Sequence, residues 1–456
     1  MFELREAQGW IAGARLSGDG ATRIAAVCTD SRRIAPGSLF VALRGERFDA
    51  HDFLGQAFQA GAAAVLAERL PDAVRGPALL VADTRRAYGE LGAAWRGRFR
   101  LPLIAVTGSN GKTTVKEMIA AILAARFGVD HRLATRGNLN NEIGVPATLL
   151  ELGPQHEAAV VELGMNHPGE IAWIAGLAAP TVALVNNAQR EHQEFLGTVR
   201  ATAIENGAAI AALPPEGVAV FPGDDEHTAL WREIAGARRC LSFGLSPHCD
   251  VHADPAARPE GFDLCIGQAS ARVNLAIAGA HNVRNALAAA ACASAIGIDL
   301  AGIAAGLAAF RPVSGRLVRL ACPGGASLID DSYNANPDSV RAAIDVLAAA
   351  DHPRVLVLGD MGEVGSQGEQ FHREVVGYAA SRGIDHLLAL GEATGRAVRE
   401  AGVRGFEAFA SLEALLARLA PLAITPATVL VKGSRSMRME RVVAALSGAP
   451  QPAGAH

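Results

Sequence analysis

The 456-residue sequence predicts an α/β fold divided into three domains. Short apolar strands alternate with helical stretches along most of the chain, which is typical of parallel sheets. The length corresponds to about three domains at roughly 150 residues each. A glycine-rich turn at residues 107–114 joins a strand to a helix, as in domains that bind nucleotide phosphates.

The first domain, residues 1–88, is predicted to be a small mixed α/β unit. Short strands and turns alternate in it, with strands at Ile24–Cys28, Gly37–Leu43 and Ala63–Leu66. A helix from about residue 85 to residue 98 is predicted to lead into the second domain. The apolar runs are short, so this unit is expected to build only a small sheet.

The second domain, residues 89–314, is predicted to carry a P-loop ATPase-like parallel sheet, and the third, residues 315–456, another α/β unit. Apolar runs predict strands of the second domain at Leu103–Val106, Ala158–Leu163 and Val182–Asn186, and a helix at His281–Ala293. The strands of the third domain are predicted at Leu328–Asp331, Arg354–Leu358, His386–Leu390 and Thr428–Val431. Helical stretches separate these strands, which favours parallel pairing.

The turn after Leu103–Val106 has the residues of a phosphate-binding loop. Gly108 and Gly111 let backbone N–H groups approach a polyphosphate, and the helix that follows directs its positive end at it. Lys112 can reach the outer phosphates, and the Thr113 hydroxyl can ligate a metal ion. The whole loop is a candidate nucleotide site: Thr107, Gly108, Ser109, Asn110, Gly111, Lys112, Thr113 and Thr114. The alternative is a strand–helix turn that binds nothing.

The composition excludes several classes of protein. A net charge of −4 provides no electrostatic basis for nucleic-acid binding. The six cysteines show no zinc-ligand spacing, and buried thiols in a reducing compartment are expected. The N-terminal residues lack the blocks of a signal peptide, and no segment is a convincing membrane span. We therefore expect a soluble cytoplasmic protein that neither binds nucleic acid nor enters a membrane.

Polar residues near the ends of predicted strands are candidates to serve the phosphate loop, because ligands of parallel sheets gather at the carboxyl ends of strands. Glu162 closes one apolar run and can hold Mg²⁺, and His192 follows another as a second possible metal ligand. Asn138, Asn140 and Asn141 lie in a loop between these strands. Each of these side chains has an ordinary structural alternative, such as hydrogen-bonding its own turn.

The order of these motifs resembles the Mur ligases, the ATP-dependent amide ligases of peptidoglycan synthesis. The matching segments, in chain order, are residues 107–114, 158–163, 186–192, 279–285 and 315–316. Further segments are similar to the members that add D-alanyl-D-alanine to UDP-N-acetylmuramoyl-tripeptide: residues 138–146, 161–170, 330–337, 358–363 and 431–435. The resemblance covers nearly the whole chain.

The resemblance implies a three-domain architecture with a Rossmann-like C-terminal domain. The N-terminal domain would hold the UDP end of the muramoyl substrate, the central domain ATP, and the C-terminal domain would bring the dipeptide and close over ATP. Asn282, Arg316 and Asp331 would surround ATP, and Lys112, Glu162 and His192 would be catalytic. Thr113, Glu162 and His192 would hold Mg²⁺. The implied substrate-binding residues are Asp30, Ser31, Arg32, Arg44, Asn138, Asn140, Asn141, Asn334, Asn336, Lys432 and Arg435.

The implied reaction uses ATP to convert the tripeptide carboxylate into an acyl phosphate, which the amine of D-alanyl-D-alanine then attacks. The expected partners are these small molecules only, and a monomer is expected. Two alternatives inside the class are the ligase that adds the third peptide residue and a folylpolyglutamate synthase. An alternative from another class is a nucleotide-binding regulator that no longer catalyses. The sequence does not distinguish diaminopimelate from lysine as the third peptide residue.

One departure from the family concerns a lysine that many Mur ligases carry as a metal-bridging carbamate. Lysine occurs in this chain only at Lys112, Lys116 and Lys432, and Asn206 takes the corresponding place. A carbamate therefore cannot form there. One hypothesis is that the neighbouring Glu205, or water, supplies the missing anionic oxygen. The alternative is that Glu205 is an ordinary helix residue.

Overall fold

The computed structural model of the chain describes residues 1–45, 48–253, 261–424 and 426–448. Within these residues the strands form a two-stranded, a five-stranded, a nine-stranded and a six-stranded sheet. Each of the three larger sheets occupies its own part of the chain and is parallel over most of its width. The predicted α/β class with three domains is confirmed.

The N-terminal part contains the small mixed sheet. Its strands are β1 Phe2–Glu3, β2 Arg15–Ser17, β3 Arg23–Ile24, β4 Ala26–Cys28, β5 Ser38–Val41, β6 Ala64–Ala67 and β7 Ala78–Leu80. Its helices are α1 Leu4–Trp10, α2 Leu54–Gln59 and α3 Thr84–Arg96. The five-stranded order is β2-β7-β6-β5-β4. The predicted continuous strand at Ile24–Cys28 is wrong, because β3 pairs with β1 while β4 joins β5 in the other sheet.

The central part contains the nine-stranded sheet. Its strands are β8 Leu103–Thr107, β9 Arg132–Ala134, β10 Ala158–Glu162, β11 Val182–Val185, β12 Val218–Pro222, β13 Arg239–Gly244, β14 Val251–Ala253, β15 Phe262–Ile266 and β16 Ala269–Val273. Its helices are α4 Lys112–Phe127, α5 Gly144–Leu149, α6 Glu170–Ala178, α7 Gln193–Leu196, α8 Val199–Ala211, α9 Thr228–Ala235, α10 Ala280–Ala295 and α11 Leu300–Ala309. The order is β16-β15-β14-β13-β12-β11-β8-β10-β9. Only the pairs β14–β15 and β15–β16 are antiparallel.

Two separate cores cover the faces of the central sheet. Helices α4, α10 and α11 pack on one face, where Val115, Met118, Ile119 and Ile122 of α4 are buried. Helices α3, α6 and α8 pack on the other face. The segment after β8 therefore forms helix α4 on one face of the sheet, whereas the segment after β11 forms helix α8 on the opposite face. The carboxyl ends of these neighbouring strands form a topological switch point, where ligands of such sheets bind.

The C-terminal part contains the six-stranded sheet. Its strands are β17 Val318–Ala321, β18 Ser327–Asp331, β19 Arg354–Gly359, β20 His386–Leu390, β21 Phe406–Phe409 and β22 Thr428–Lys432. Its helices are α12 Pro337–Ala348, α13 Gly368–Ser381, α14 Glu392–Ala401, α15 Leu412–Leu419 and α16 Glu440–Ser447. The order is β17-β18-β22-β19-β20-β21, with only β17 antiparallel. This is the Rossmann-like arrangement that the sequence predicts.

Two predictions from composition concern membranes and thiols. None of the helices in the described ranges is long and apolar enough to cross a membrane. Cys249, Cys292 and Cys322 are buried as expected, whereas the remaining cysteines are only half-buried. Burial raises the pKa of the Cys249 and Cys322 thiols, which keeps them protonated near neutral pH.

Candidate functional site

The loop between β8 and α4 forms a cradle of backbone N–H groups. Gly108 and Gly111 have φ values of 132° and 81°, which residues with side chains rarely adopt. A Cβ atom at Gly111 would lie 2.5 Å from Asn285 Oδ1, so packing also demands glycine there. No side chain caps the start of α4, which leaves its first N–H groups directed at the cavity. The cradle can therefore bind an anion.

Lys112 is the first residue of α4, and its ammonium group folds back over the cradle. Nζ donates to Gly108 O at 2.6 Å, to Ser109 O at 3.2 Å and to Glu191 Oε1 at 2.9 Å. Glu191 lies in the loop after β11, on the other side of the switch point. Lys112 thus has its three donors occupied by partners that phosphate oxygens can replace.

Glu162, the last residue of β10, is buried with half of its carboxylate unpartnered. Oε1 accepts from Asn140 Nδ2 at 2.7 Å, whereas the buried Oε2 has no hydrogen-bond partner. The Glu162 backbone N–H donates to Thr135 Oγ1 at 3.0 Å, which fixes the end of the strand. An unpaired buried carboxylate oxygen is costly unless a cation reaches it. The donor chemistry of Glu162 together with the Thr113 hydroxyl fits Mg²⁺.

His192 lies between two carboxylates. Nδ1 is 2.7 Å from Glu363 Oε2, and Nε2 is 3.4 Å from Glu191 Oε1. Burial by itself lowers the pKa of His192, but the nearby carboxylates of Glu191 and Glu363 outweigh this effect and raise the pKa to about 9. This shift favours the protonated ring, which must lose a proton before it can ligate a metal ion. In the described part of the chain, no three His, Cys, Asp or Glu side chains form a metal cluster.

The C-terminal domain faces the cradle with a second lysine. Asp331 and Lys432 end the neighbouring strands β18 and β22, where they are paired in register. Lys432 Nζ is 2.6 Å from Asp331 Oδ2 and 2.9 Å from Asn334 O. The Arg316 guanidinium stacks 4.3 Å from the centre of the Tyr333 ring, and that of Arg435 lies 5.8 Å from it.

Asparagines link the loops around the cradle. Asn186 Nδ2 donates to Asn285 Oδ1 at 2.9 Å, and Asn285 Nδ2 donates to Asn282 Oδ1 at 3.0 Å. Across the domain boundary, Asn336 Nδ2 donates to Asn110 Oδ1 at 2.9 Å. Asn336 also caps α12, since its side chain accepts from Ser339 N. The predicted residues Asn282 and Asn336 are therefore structural links as well as candidate ligand contacts.

Arg190 joins the central and C-terminal domains. Its guanidinium donates to Asp338 Oδ1 and to Glu374 Oε2, each at 2.6 Å, and its backbone N–H donates to Asp338 Oδ2 at 2.9 Å. The ring of Phe371 lies 5.1 Å from the guanidinium carbon. Planar contacts of this kind suit arginine, and they hold the two faces of the site together.

Most of the predicted residues line one cavity of about 880 Å³ between these two domains. The cradle contributes residues 109–114, and Glu162, His192, Asn282, Arg316 and Asp331 surround it. The predicted substrate-binding residues in its wall are Asn138, Asn140, Asn141, Asn334, Asn336, Lys432 and Arg435. Thr107 and Gly108 precede these residues in the same loop and do not line the cavity. The structure thus brings together side chains that are distant in the chain.

The predicted N-terminal residues lie outside this cavity. Arg32 pairs with Asp30 at 2.9 Å, with Ser31 in the turn between them. Arg44 pairs with Asp49 and with Glu68, each at 3.3 Å. Arg85 connects this region to the Asn-rich loop, because it donates to Arg44 O at 3.0 Å and to Glu142 Oε1 at 2.5 Å. Their role as substrate contacts remains a prediction.

The structure contradicts the hypothesis that Glu205 replaces the carbamate. Glu205 Oε2 accepts from Gly169 N at 2.9 Å and Oε1 accepts from Ile171 N at 3.0 Å, so both oxygens cap the start of α6. The adjacent Asn206 is fully buried, and its Oδ1 accepts from Thr107 Oγ1 at 2.6 Å. Adjacent positions of a helix project in different directions, so Asn206 points to the phosphate loop whereas Glu205 points to the start of α6.

Sequence reasoning missed four residues that complete this site. Glu191 and Arg190 directly precede His192, and Asp338 directly follows the predicted 330–337 motif. Glu363 ends the predicted 358–363 motif. A signal was present, because each is a charged residue within a recognised segment or directly after one. Their partners could not be inferred, because each contact joins parts of the chain far apart in sequence.

Three family descriptions match consecutive parts of the chain. "Mur ligase family, catalytic domain" matches residues 23–96, "Mur ligase middle domain" matches residues 106–293, and "Mur ligase, glutamate ligase domain" matches residues 315–435. Together they cover most of the cavity wall.

Relatives and solved structures match over almost the full length. A UDP-N-acetylmuramoyl-tripeptide--D-alanyl-D-alanine ligase of Escherichia coli (strain K12) is 44% identical, over 92% of this chain and 93% of that protein. The ligase of the same name from Bacillus subtilis (strain 168) is 35% identical, over 94% of each chain. The fold is similar to MurF from Acinetobacter baumannii, with a TM-score of 0.90, 38% identity and 98% of each chain covered. It is also similar to MurF ligase from Thermotoga maritima in complex with ADP, with a TM-score of 0.83, 27% identity and 94% and 98% covered.

Proposed function

The chain belongs to the Mur ligase family, and from that premise we propose that it joins D-alanyl-D-alanine to UDP-N-acetylmuramoyl-tripeptide at the expense of ATP. The products are UDP-N-acetylmuramoyl-pentapeptide, ADP and phosphate. The observation that carries this function is the anion cradle with Lys112, which faces Lys432 and Arg316 of another domain across one cavity. Such a cavity can hold a nucleotide and an activated carboxylate together.

The division of labour follows the three predicted domains, residues 1–88, 89–314 and 315–456. Residues 1–88 would bind the UDP end of the substrate through Asp30, Ser31, Arg32 and Arg44. Helix α3 crosses the proposed boundary at residue 88, and Arg85 of that helix already contacts both sides. Residues 315–456 would bring the amine substrate to the cavity.

The first step forms a bond between a tripeptide carboxylate oxygen and the γ-phosphorus of ATP, and breaks the bond to the ADP oxygen. Lys112 exchanges Glu191 and the loop carbonyls for the β- and γ-phosphate oxygens. Backbone N–H groups at the start of α4 would neutralise part of the remaining charge, whereas the N–H groups of Ser109 and Asn110 already donate to Asn187. Mg²⁺, held by Thr113 and Glu162, would screen the phosphates while they approach the carboxylate. Asn282, Arg316 and Asp331 would position the rest of ATP.

In the second step the dipeptide nitrogen attacks the acyl carbon, and phosphate leaves with its pair of bonding electrons. The ammonium group of the dipeptide must first release one proton to water to become a nucleophilic amine, and the nitrogen releases a second proton, which the departing phosphate can accept, as the amide forms. His192 lies beside the cradle, where its protonated ring could donate to the anionic acyl end; in its neutral form His192 could hold a second Mg²⁺, which would supply positive charge there. Lys432 uses two of its N–H donors on Asp331 and Asn334, so one remains for an anionic substrate group. Asn334, Asn336 and Arg435 would position the same substrate.

The proposed function is tested by phosphate release from ATP and by the mass of the product. Purified protein is given ATP, Mg²⁺ and a UDP-tripeptide with either diaminopimelate or lysine in third place, with and without D-alanyl-D-alanine. We expect UDP-pentapeptide only with the dipeptide. Free diaminopimelate, lysine and glutamate are the comparison amines. Amide formation with one of these in place of the dipeptide, or ATP binding with no amide, would contradict the proposal.

A further inference from the structure

Glu363 belongs to a loop that the C-terminal domain extends into the cavity. The loop follows β19 and is fixed at one end, where Met361 N donates to the buried His372 Nε2 at 3.0 Å. At its other end Gly365 packs on the segment after His192, where an added Cβ would lie 3.2 Å from the Glu194 backbone. The Glu363 carboxylate is therefore held at the boundary between two domains.

The backbone of Glu363 is in the left-handed region, with φ at 57°. This conformation is unfavourable for a residue with a Cβ atom, such as glutamate, whereas glycine adopts it readily. Strained residues of this kind persist where the surrounding structure imposes them, and they are concentrated at functional sites. In this structure the conformation places Glu363 Oε2 at 2.7 Å from His192 Nδ1.

Glu363 differs from the other carboxylates that the C-terminal domain places in the cavity wall. Three such carboxylates are present in the described residues, Asp331, Asp338 and Glu363. Asp331 is paired with Lys432 and Asp338 with Arg190, each at 2.6 Å. The ion pair of Glu363 is with a histidine, and its side chain keeps 47% of its surface exposed. It is thus the carboxylate of this group that a cationic ligand can reach.

We propose that Glu363 binds the amino group of the incoming dipeptide and holds it beside the acyl carbon. This inference rests on the proposed function and adds the residue that recognises the amine. A carboxylate accepts N–H hydrogen bonds from an amino group and favours a charged amine over a neutral molecule of similar size. Glu363 lies opposite His192. A nitrogen bound to Glu363 would therefore lie between the C-terminal domain, which would bring the dipeptide, and the central domain, which would activate the tripeptide.

The test compares two nucleophiles that differ in charge. D-alanyl-D-alanine carries an ammonium group at neutral pH, whereas hydroxylamine is mostly uncharged and traps an acyl phosphate as a hydroxamate. For Glu363→Gln we expect the KM for D-alanyl-D-alanine to rise about ten- to a hundredfold, the range for a lost charged hydrogen bond. Hydroxamate formed from UDP-tripeptide, ATP and hydroxylamine should fall much less than amide formation from the dipeptide, because uncharged hydroxylamine does not use the charged contact.

Two further variants separate binding from folding. Glu363→Gly removes the carboxylate and places at this position a residue that adopts a φ of 57° without strain, so the protein should remain folded while its KM for the dipeptide rises. Glu400→Gln alters an exposed carboxylate paired with Arg373 at 2.6 Å outside the cavity, and its kinetics should not change. An unchanged dipeptide KM in Glu363→Gln, or an equal loss of hydroxamate and amide, would overturn the inference. Failure of the unaltered protein to form either product would instead refute the proposed function.

Discussion

Lys112 and Lys432 face the same cavity from opposite domains, and each is paired with a carboxylate. Lys112 contacts two carbonyls of its own loop and Glu191 from a loop across the switch point. Lys432 contacts Asp331, its neighbour in the register of two adjacent strands. Their side chains are 14% and 4% exposed. The partners of Lys112 are loop atoms that phosphate can displace, whereas the partner of Lys432 belongs to the sheet.

The two sides of the cavity therefore differ in what their charges stabilise. On the central side, Glu191 pairs with Lys112 at the start of α4 and with His192 in the loop after β11. Ligand binding can rearrange these pairs without disturbing the sheet. On the C-terminal side, Asp331 and Lys432 are held by the strands that carry them. The central side is thus suited to phosphate chemistry and the C-terminal side to a fixed substrate-binding surface. Four predictions test this difference.

The largest effect is expected for Lys112→Ala. Phosphate release with all substrates present should fall by a factor on the order of 10³–10⁵, the range for losing a cation that stabilises phosphoryl transfer. The free energy of unfolding in urea should change by less than about 1.5 kcal/mol, because Glu191 keeps His192 as a partner. Near-normal turnover would end the assignment of Lys112 as the phosphate-binding lysine.

The next largest effect is expected for Lys432→Met, and it concerns stability. The change leaves the Asp331 carboxylate without its cation, and breaking a buried pair in this way costs about 3–5 kcal/mol of unfolding free energy. Adding Asp331→Asn should restore part of the loss. Arg396→Ala, which removes an exposed ion pair with Glu369, is the control and should cost less than about 1 kcal/mol. If Lys432→Met lost as little unfolding free energy as the control, the pair of Lys432 and Asp331 would not stabilise the sheet more than an exposed ion pair does.

The third prediction concerns pH and the loops of the central side. The pKa of His192 is about 9 in the folded protein and about 6.5 when unfolded. The stability that it contributes is therefore complete below pH 6.5 and is lost as pH rises through 9. The unfolding free energy of the protein without ligands should fall by up to about 3 kcal/mol over this window. Urea unfolding at several pH values measures it, and a His192→Gln variant with the same slope would assign the effect elsewhere.

The smallest effect is expected for Arg190→Ala, which weakens the contact between the central and C-terminal domains. Arg190→Ala removes the contacts with Asp338 and Glu374, whose side chains are partly exposed. Since partly exposed charge pairs contribute about 1 kcal/mol, the KM for ATP should rise roughly five- to tenfold. The radius of gyration from small-angle scattering should also increase. A variant with unchanged KM and radius would show that other contacts hold the domains together.

The fold and the nucleotide-facing residues could be predicted because their signals are local. A strand, two glycines and a helix that begins at Lys112 identify the cradle in the sequence, although Asn186 and Asn187 of a distant loop also hold it in place. Predicted strand bounds differ from the observed ones mostly by one residue at an end, since apolar runs mark burial better than the last hydrogen bond. Helix α5 begins at Gly144, where Asn141 Oδ1 accepts from the N–H groups of Ile143 and Gly144, a contact that no apolar run marks in the sequence.

The sequence by itself determined the α/β class, the phosphate cradle, the strand ends that carry Glu162 and Asp331, and the strand that Lys432 was expected to follow, because each depends on neighbours in the chain. Only the tertiary structure decided which charges meet. Glu191 reaches Lys112, Glu363 reaches His192, and Glu205 turns away to cap α6. These contacts join segments separated by tens to hundreds of residues. Their geometry depends on strand order and domain packing, which no local pattern encodes.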